Sequence, residues 1–306
     1  MCNFLAIDNF TTKELENLLG LASKLKKEYI STGNQPVLDG KTLAMIFQKP
    51  SLRTRVSFEM AMHHLGGKSI YISPQEIELG KRETVPDVAR VLDGYVDAIM
   101  ARVFHYEDVL ELAKYTSIPV INGLSDYNHP CQALGDMLTI MELKPNLQGL
   151  KLAFVGDGNN VATSLALTCA LMGIDFTIAS PKGYELNDEV IKRIKKISSK
   201  EKMGFIQMTD PIEAVADADI IYTDVWTSMG QEQEAKYRQE LFKTYQVNQD
   251  LVSKAKPNVI VMHDLPAKRG EEITNDVADG PNSVIFQQAH NRMHSAKAIL
   301  YTLLTD

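Results

Sequence analysis

The chain has 306 residues, more than one hydrophobic core usually organises, so two domains of roughly 150 residues each are expected. Its 44% apolar and 23% charged residues are those of an ordinary globular chain, which excludes a disordered or fibrous one. A net charge of -7 disfavours a general nucleic-acid binder, whose affinity comes from clustered Lys and Arg, so any anionic ligand must be met by locally concentrated positive charge.

The opening residues 1–8 lack the basic and long apolar regions of a signal peptide. No later apolar run is long enough to span a bilayer, so a cytoplasmic location without a membrane partner is expected. Cys2, Cys131 and Cys169 are odd in number and widely separated, which suits reduced thiols and offers no metal-ligand spacing. Thr11 and Glu14 form a capping box ahead of Leu15, Leu18, Leu19, Ala22 and Leu25 at helical spacing, which predicts an amphipathic first helix. Residues 42–47 read as a strand and Pro50-Ser51 as a turn. A helix follows over 53–65, with Phe58, Ala61, Met62 and Leu65 on one side and Gly66-Gly67 as its stop. Further strands are expected near 69–72, 98–101 and 119–122, with a polar loop over 73–86 and a helix around 88–92. Helical residues 132–143 lead into Lys144-Pro145-Asn146, a turn-rich break that marks a domain boundary.

The second half repeats the same grammar, with strands at 150–155, 176–179, 204–208, 220–223, 259–262 and 283–286. The Lys-rich run 192–202 reads as a solvated helix and loop, and a last helix over about 292–304 is expected to return to the first domain. Strands alternating with helices give an α/β fold class: two doubly wound parallel-sheet domains with helices on both faces. The expected division is 1–145 together with the C-terminal helix 290–306, and 146–289.

In open α/β sheets ligands gather at the carboxyl ends of strands, so the loops directly after strands are where chemistry is sought. Five such loops are unusual: Ser51-Leu52-Arg53-Thr54-Arg55, Arg102, His129-Pro130-Cys131-Gln132, Asp224 to Gly230, and His263-Asp264-Leu265-Pro266. The first sets hydroxyls and two guanidinium groups at a helix start, where backbone N–H groups and the macrodipole favour a phosphate and arginine grips its oxygens in pairs. Taken singly, each loop has a plain structural explanation: His129 as a helix cap, Arg102 as an ion-pair partner, Asp224 as a strand-end acid, His263 as a satisfied turn histidine. Gly156-Asp157-Gly158-Asn159-Asn160-Val161 invites a dinucleotide reading, but Val161 replaces the third glycine and no ribose-binding acid follows about 20 residues on. A tight turn presenting Asn160 to a substrate fits better.

Together these loops resemble the ornithine and aspartate carbamoyltransferase family, in an order and spacing that match across essentially the whole chain. Asp224-x-x-x-Ser228-Met229-Gly230-Gln231-Glu232 is similar to its ornithine branch. The resemblance implies that carbamoyl phosphate is held by Ser51, Arg53, Thr54 and the backbone N–H of Leu52. Arg102 would lie between phosphate and carbonyl oxygen, and Arg292 would add a further contact. His129 and Thr54 would polarise the carbonyl oxygen, and Gln132 and the Leu265 carbonyl would accept from the carbamoyl NH2. It implies L-ornithine with its carboxylate on Asn160 and the Met229 backbone and its α-ammonium on Asp224 and Ser228. No metal or organic cofactor is implied, because carbamoyl phosphate carries its own activated leaving group. A homotrimer, or a multiple of trimers, is implied, in which the loop carrying Glu78 reaches the neighbouring subunit's phosphate site; Glu78 stands where Gln is usual.

Asp264 stands where the ornithine branch usually has Cys, beside the reacting amine, and joins Arg102, His129 and Thr54 among the catalytic positions. A carboxylate there is expected to favour the ammonium form, raise its pKa by about 1 to 3 units and move the rate optimum to alkaline pH. His290 replaces a usual Glu, while Arg292 is retained. Two other readings are a carbamoyltransferase for another amine such as putrescine, suggested by Tyr127-Asn128-His129-Pro130 and Tyr222 to Trp226, and a ligand-binding member of the family without turnover.

Overall fold

Thr11 opens the first helix of this computed structural model, in which residues 2–201, 203–228 and 232–305 are described. Its hydroxyl accepts the Glu14 N–H at 3.3 Å and the Glu14 carboxylate accepts the Thr11 N–H at 2.8 Å, completing the capping box of α1 (Thr12–Ser31). The five apolar residues named from the sequence line its buried face. The chain divides into two units, Met1–Thr139 with His290–Asp306, and Ile140–Ala289.

In the first unit β1 (Thr42–Phe47), α2 (Leu52–His64), β2 (Lys68–Ile72), α3 (Pro74–Ile77), α4 (Val85–Asp93), β3 (Ala98–Arg102), α5 (Tyr106–Lys114) and β4 (Val120–Leu124) follow α1, and α6 (Pro130–Leu143) runs across the division. All four strands are parallel, in the order β2-β1-β3-β4. β3 is buried throughout and β1 nearly so, as expected of central parallel strands covered on both faces. The second unit contains β5 (Lys151–Val155), α7 (Asn160–Met172), β6 (Asp175–Ala179), α8 (Asp188–Glu201), β7 (Phe205–Met208), α9 (Pro211–Val215), β8 (Ile220–Thr223), α10 (Ala235–Phe242), α11 (Gln249–Val252), β9 (Ile260–His263) and α12 (Asn275–Ala278). Its parallel sheet has the order β7-β6-β5-β8-β9. α13 (Ile285–Leu304) closes the chain. It is tied to the first unit by Asn291, which accepts from Lys26 at 2.7 Å and donates to Thr139 at 2.9 Å, and by Lys297, which donates to Asn34 at 2.6 Å.

Both sheets change winding direction once, between β1 and β3 and between β5 and β8. The carboxyl ends of those four strands therefore carry Ser51, Arg102, the Gly156 turn and Asp224, at the switch points where crevices form. Phe154 and Tyr222 stack at 5.5 Å between β5 and β8, both fully buried. Burying one such side chain contributes about 1.5–3 kcal/mol, which anchors the two strand ends that carry polar residues.

The strand expected at 283–286 is not formed. Ser283 makes only an isolated bridge with Val261, and the chain enters α13 at Ile285 rather than near 292. A short apolar run does not distinguish strand from buried helix by periodicity, and here the helix formers Gln287, Gln288 and Ala289 decide it. The loop read over 73–86 holds α3 and the start of α4, whose caps Ser73 with Glu76 and Thr84 with Asp87 are capping signals the reading passed over. The division of the chain into two units falls inside α6 and α13, both continuous helices. Among the described residues no helix is long and apolar enough to cross a membrane.

Candidate active site

The first unit gathers its polar residues at the ends of β1, β3 and β4. Ser51 is the N-cap of α2, its hydroxyl accepting the Thr54 N–H at 3.3 Å, so this helix start is pre-formed by its own sequence. Thr54 is buried one turn in, and its hydroxyl accepts from Arg102 Nη1 and from Arg292 Nη2, both at 3.4 Å. Arg292 reaches this point from α13 and also donates to the Gln132 side-chain oxygen. Gln132 in turn donates to Asp136 at 2.7 Å, which fixes its amide with the oxygen towards Arg292. One lone pair of that oxygen remains for a second donor. Gly135 makes this possible, since a Cβ there would lie 3.0 Å from Arg292 Cδ.

His129, at the start of α6, is buried, and its pKa is held well below the ordinary value. Burial is the main cause, followed by the positive charges of Arg292, Arg102 and Arg53. A neutral imidazole beside three guanidinium groups can donate one N–H to an oxygen without adding a fourth charge. Cys131 next to it is inert, its thiol pushed up to about 12 by burial. The sequence brings Ser51, Arg53, Thr54, Arg102, His129, Gln132 and Arg292 into one cluster. It does not bring Arg55, which stacks on Tyr71 at 4.0 Å and pairs with Glu59 at 3.3 Å. Leu52 leaves its side chain 72% exposed. Glu78 stands exposed at the left-handed C-cap of α3 (φ 39°) and, among the described residues, makes no hydrogen bond or ion pair with the cluster.

His129 also makes a stability prediction. Its folded pKa lies below the unfolded value near 6.5, so its contribution is full above that pH and is lost as the pH falls, by up to about 1.4 kcal/mol per unit. His129→Gln is expected to show a shallower loss of thermal stability between about pH 8 and about pH 5. Parallel slopes in the two proteins would mean that folding leaves the proton affinity of this ring unchanged.

The second unit gathers polar groups at the ends of β5, β8 and β9. Asn159 caps α7, its side-chain oxygen accepting from Val161 and Ala162 N–H at 3.0 and 3.1 Å. The same side chain donates to Asp224 Oδ2 at 2.7 Å. Asn160, the residue singled out from the sequence, is the first residue of α7 and partly exposed. Asn159 was missed, although an Asn just before an apolar helix is an N-cap signal. Asp157 and Arg238 were missed too. They form a buried ion pair, and Arg238 also donates to the Trp226 carbonyl at 2.6 Å, tying the Asp224 loop to the β5–α7 turn. Burial nevertheless lifts Asp157 to about 6, against the pull of Arg238. Ser228 is partly exposed on this loop, and Met229 and Gly230 lie outside the described residues.

Asp224 is buried close to Asp264, and burial, then the Asp264 charge, pushes its pKa well above the carboxylate range. His263 lies between acids: Nε2 is 2.9 Å from buried Glu272 and Nδ1 is 3.3 Å from Asp264. Burial opposes a charge on this ring, while the hydrogen bonds to Asp264 and Glu272 and the surrounding acids favour one. The Leu265 N–H, aimed at Nδ1 from 2.9 Å, requires a lone pair there. That shorter backbone contact decides the ring as neutral, with its proton on Nε2 shared with Glu272. The bond also holds Leu265 in the left-handed region (φ 61°), a conformation costing of order 1–3 kcal/mol for such a residue. Asp224, His263 and Asp264 place ligand atoms within 4.8 Å of one another, a set that could receive a cation.

A family model described as the carbamoyl-P binding domain of aspartate/ornithine carbamoyltransferase matches residues 2–142, and one described as the Asp/Orn binding domain matches 148–303. Over 302 residues the chain is 52% identical to the ornithine carbamoyltransferase of Pyrococcus abyssi, covering 99% of this chain and 95% of that one. It is 53% identical to that of Bacillus subtilis, covering 99% and 93%. The solved ornithine carbamoyltransferase from Pyrococcus furiosus superposes with a TM-score of 0.96 at 51% identity, covering 99% of this chain and 96% of that one. The chain belongs to the aspartate/ornithine carbamoyltransferase family.

Proposed function

We propose that the protein transfers the carbamoyl group of carbamoyl phosphate to the δ-amine of L-ornithine, giving L-citrulline and phosphate. The observation that carries this reading is the cluster of Arg53, Arg102 and Arg292 around Thr54 and a neutral His129, a set of donors suited to a phosphate joined to a carbonyl. Ser51, the Leu52 N–H, Arg53 and Thr54 hold the phosphate, and Arg102 and Arg292 bridge from it to the carbonyl oxygen. His129 and Thr54 donate to that oxygen as negative charge builds on it, the logic of an oxyanion hole. Gln132 and the Leu265 carbonyl orient the carbamoyl NH2. In the second unit Asp224 and Ser228 take the α-ammonium, and Asn160 and the Met229 backbone take the carboxylate.

The δ-amine attacks after losing its proton, the carbonyl carbon becomes tetrahedral, and the C–O bond to phosphate breaks. Asp264 is the group beside that amine. Residues that bind an α-carboxylate and an α-ammonium have no purpose for putrescine, and a protein without turnover has no need of every charged partner retained here. We further assign the protein to the cytoplasm as a homotrimer, with the Glu78 loop serving a neighbouring subunit. The test is an assay with L-ornithine and putrescine at equal concentrations: citrulline and phosphate are expected in equal amounts from ornithine, with little product from putrescine. Product from putrescine alone, or none from either, would overturn the reading.

A further inference from the structure

The residues ahead of α1 lie alongside β4, the edge strand that leads into the loop of His129. Phe4 donates its N–H to the Val120 carbonyl at 2.9 Å and accepts from the Asn122 N–H at 2.8 Å, while the Asn3 side chain accepts from the Val120 N–H at 2.8 Å. Segment 3–5 thus extends the first sheet by a single parallel bridge, Phe4 to Ile121. The Leu5 carbonyl is taken by side chains: Asn122 Nδ2 donates to it at 3.0 Å and Asn128 Nδ2 at 3.2 Å.

Asn128 is the residue before His129. Its side-chain oxygen accepts from Asn122 Nδ2 at 2.5 Å and from Ser125 Oγ at 2.9 Å. Its backbone closes a turn on Ser125, accepting the Ser125 N–H at 3.0 Å and donating its own N–H to Ser125 Oγ at 3.3 Å. Asn122, Ser125 and Asn128 are all buried. Beyond His129 the chain is held by α6, whose Gln132 and Ala133 N–H groups donate to the His129 carbonyl at 3.0 and 3.3 Å. Cys131 Sγ donates to the Asn122 carbonyl at 3.2 Å. Burial explains why these polar groups need partners. Where the bonds fall is what bears on function, because they fix the backbone that enters His129. A turn of about 10° there would swing the far imidazole nitrogen, roughly 6 Å away, by about 1 Å, and such an error costs about 100-fold at a positioned group.

We infer that Asn128 is a positioning residue for His129, and that segment 3–5 acts through it to set the direction in which the imidazole donates. The inference rests on the proposed function, in which His129 donates to the carbonyl oxygen of carbamoyl phosphate. Asn122, Ser125 and Asn128 carry no charge, so their hold does not vary with pH.

The test is steady-state kinetics of Asn128→Ala, His129→Ala and the double variant, with thermal denaturation of each. Asn128→Ala is expected to lower kcat by about 10- to 100-fold and to leave KM for both substrates within about 3-fold of the parent's, because charge builds on the oxygen only as the amine attacks. In the His129→Ala background the same substitution should cost less than about 3-fold, since the group it positions is gone. Equal losses in the two backgrounds, a loss carried by KM, or an unchanged kcat in Asn128→Ala would each overturn the inference. If Asn128→Ala does not fold, Ser125→Ala decides: it removes one hydroxyl from the same turn and is expected to lower kcat about 3- to 10-fold in the parent and to have no effect on it in His129→Ala. Citrulline formation by the parent separates this inference from the proposed function. With the parent active, equal losses defeat this inference alone, whereas a parent that forms no citrulline defeats the proposed function and this inference with it.

Discussion

Arg102→Met is expected to lower kcat/KM for carbamoyl phosphate by roughly 100- to 10,000-fold while leaving the substrate-free protein as stable as the parent, or more so. Charge-assisted hydrogen bonds are worth about 1.5–3 kcal/mol each, and a guanidinium bridging phosphate and carbonyl oxygen makes at least two. A combined loss of roughly 3–6 kcal/mol is about two to four orders of magnitude in rate. In the substrate-free protein the balance is different. Arg102 is buried beside Arg292, both on the Thr54 hydroxyl, and both lie close enough to His129 to depress its pKa. Like charges held together out of water are a cost that only the anion relieves. A methionine of similar length fills the space and removes one of them, the usual trade between stability and activity at a binding site. Arg102→Lys keeps the charge without the planar fork, so a smaller loss of roughly 100-fold is expected. Steady-state kinetics and thermal denaturation of both variants check this. A fall in melting temperature that parallels the loss of activity would make Arg102 a structural residue.

Much of this arrangement is legible in the sequence, because the strands are short apolar runs closed by polar residues of unusual type. β1 and β8 fall where the periodicity places them, and the polar residues that follow them sit at the two switch points. Ser51, read as part of the turn ahead of a helix over 53–65, is the N-cap of α2, which begins at Leu52. What the sequence conceals is which polar groups turn inward. Arg55 is two residues from Arg53, yet the helical rotation points it at Tyr71 and Glu59 instead of at the cluster. Asp136, one turn beyond Gln132, reads as one more polar helix residue, although it is fully buried and fixes the glutamine amide. The Asp157–Arg238 pair spans 81 positions, and no local pattern announces a contact at that range. The misread strand at 283–286 has the converse cause, a local signal too short to identify the element it begins.

Gly158→Ala is expected to destabilise the second unit by about 2–4 kcal/mol and to raise KM for ornithine by roughly 100-fold, with little change in the affinity for carbamoyl phosphate. The glycine belongs to the turn whose spacing invites a dinucleotide reading, yet its need is steric. A Cβ there would lie 2.5 Å from Glu185 C and Leu186 N and 2.7 Å from Glu185 O, all backbone atoms that no rotamer change can remove. The opposing segment is fixed: Gly158 N–H donates to Tyr184 O at 2.8 Å, and Leu186, itself buried, donates its N–H to Gln207 at 3.1 Å. The turn must therefore move, and such overpacking costs about 1–3 kcal/mol or more. Asn159 moves with it. That side chain supplies two hydrogen bonds to the start of α7 and the 2.7 Å bond that orients Asp224, so the displacement reaches the residue proposed to receive the α-ammonium. A misplacement of about 1 Å at a positioned group costs about 100-fold. Gly20 supplies the control, since it lies on the exposed side of α1 with nothing within 4 Å of a Cβ. Gly20→Ala is expected to be neutral or stabilising by up to about 1 kcal/mol, as helix propensity alone dictates. Denaturant unfolding and substrate-saturation kinetics on the two variants distinguish these outcomes. Parental stability and KM in Gly158→Ala would show that the turn can yield, and that Asn159 does not govern the placement of Asp224.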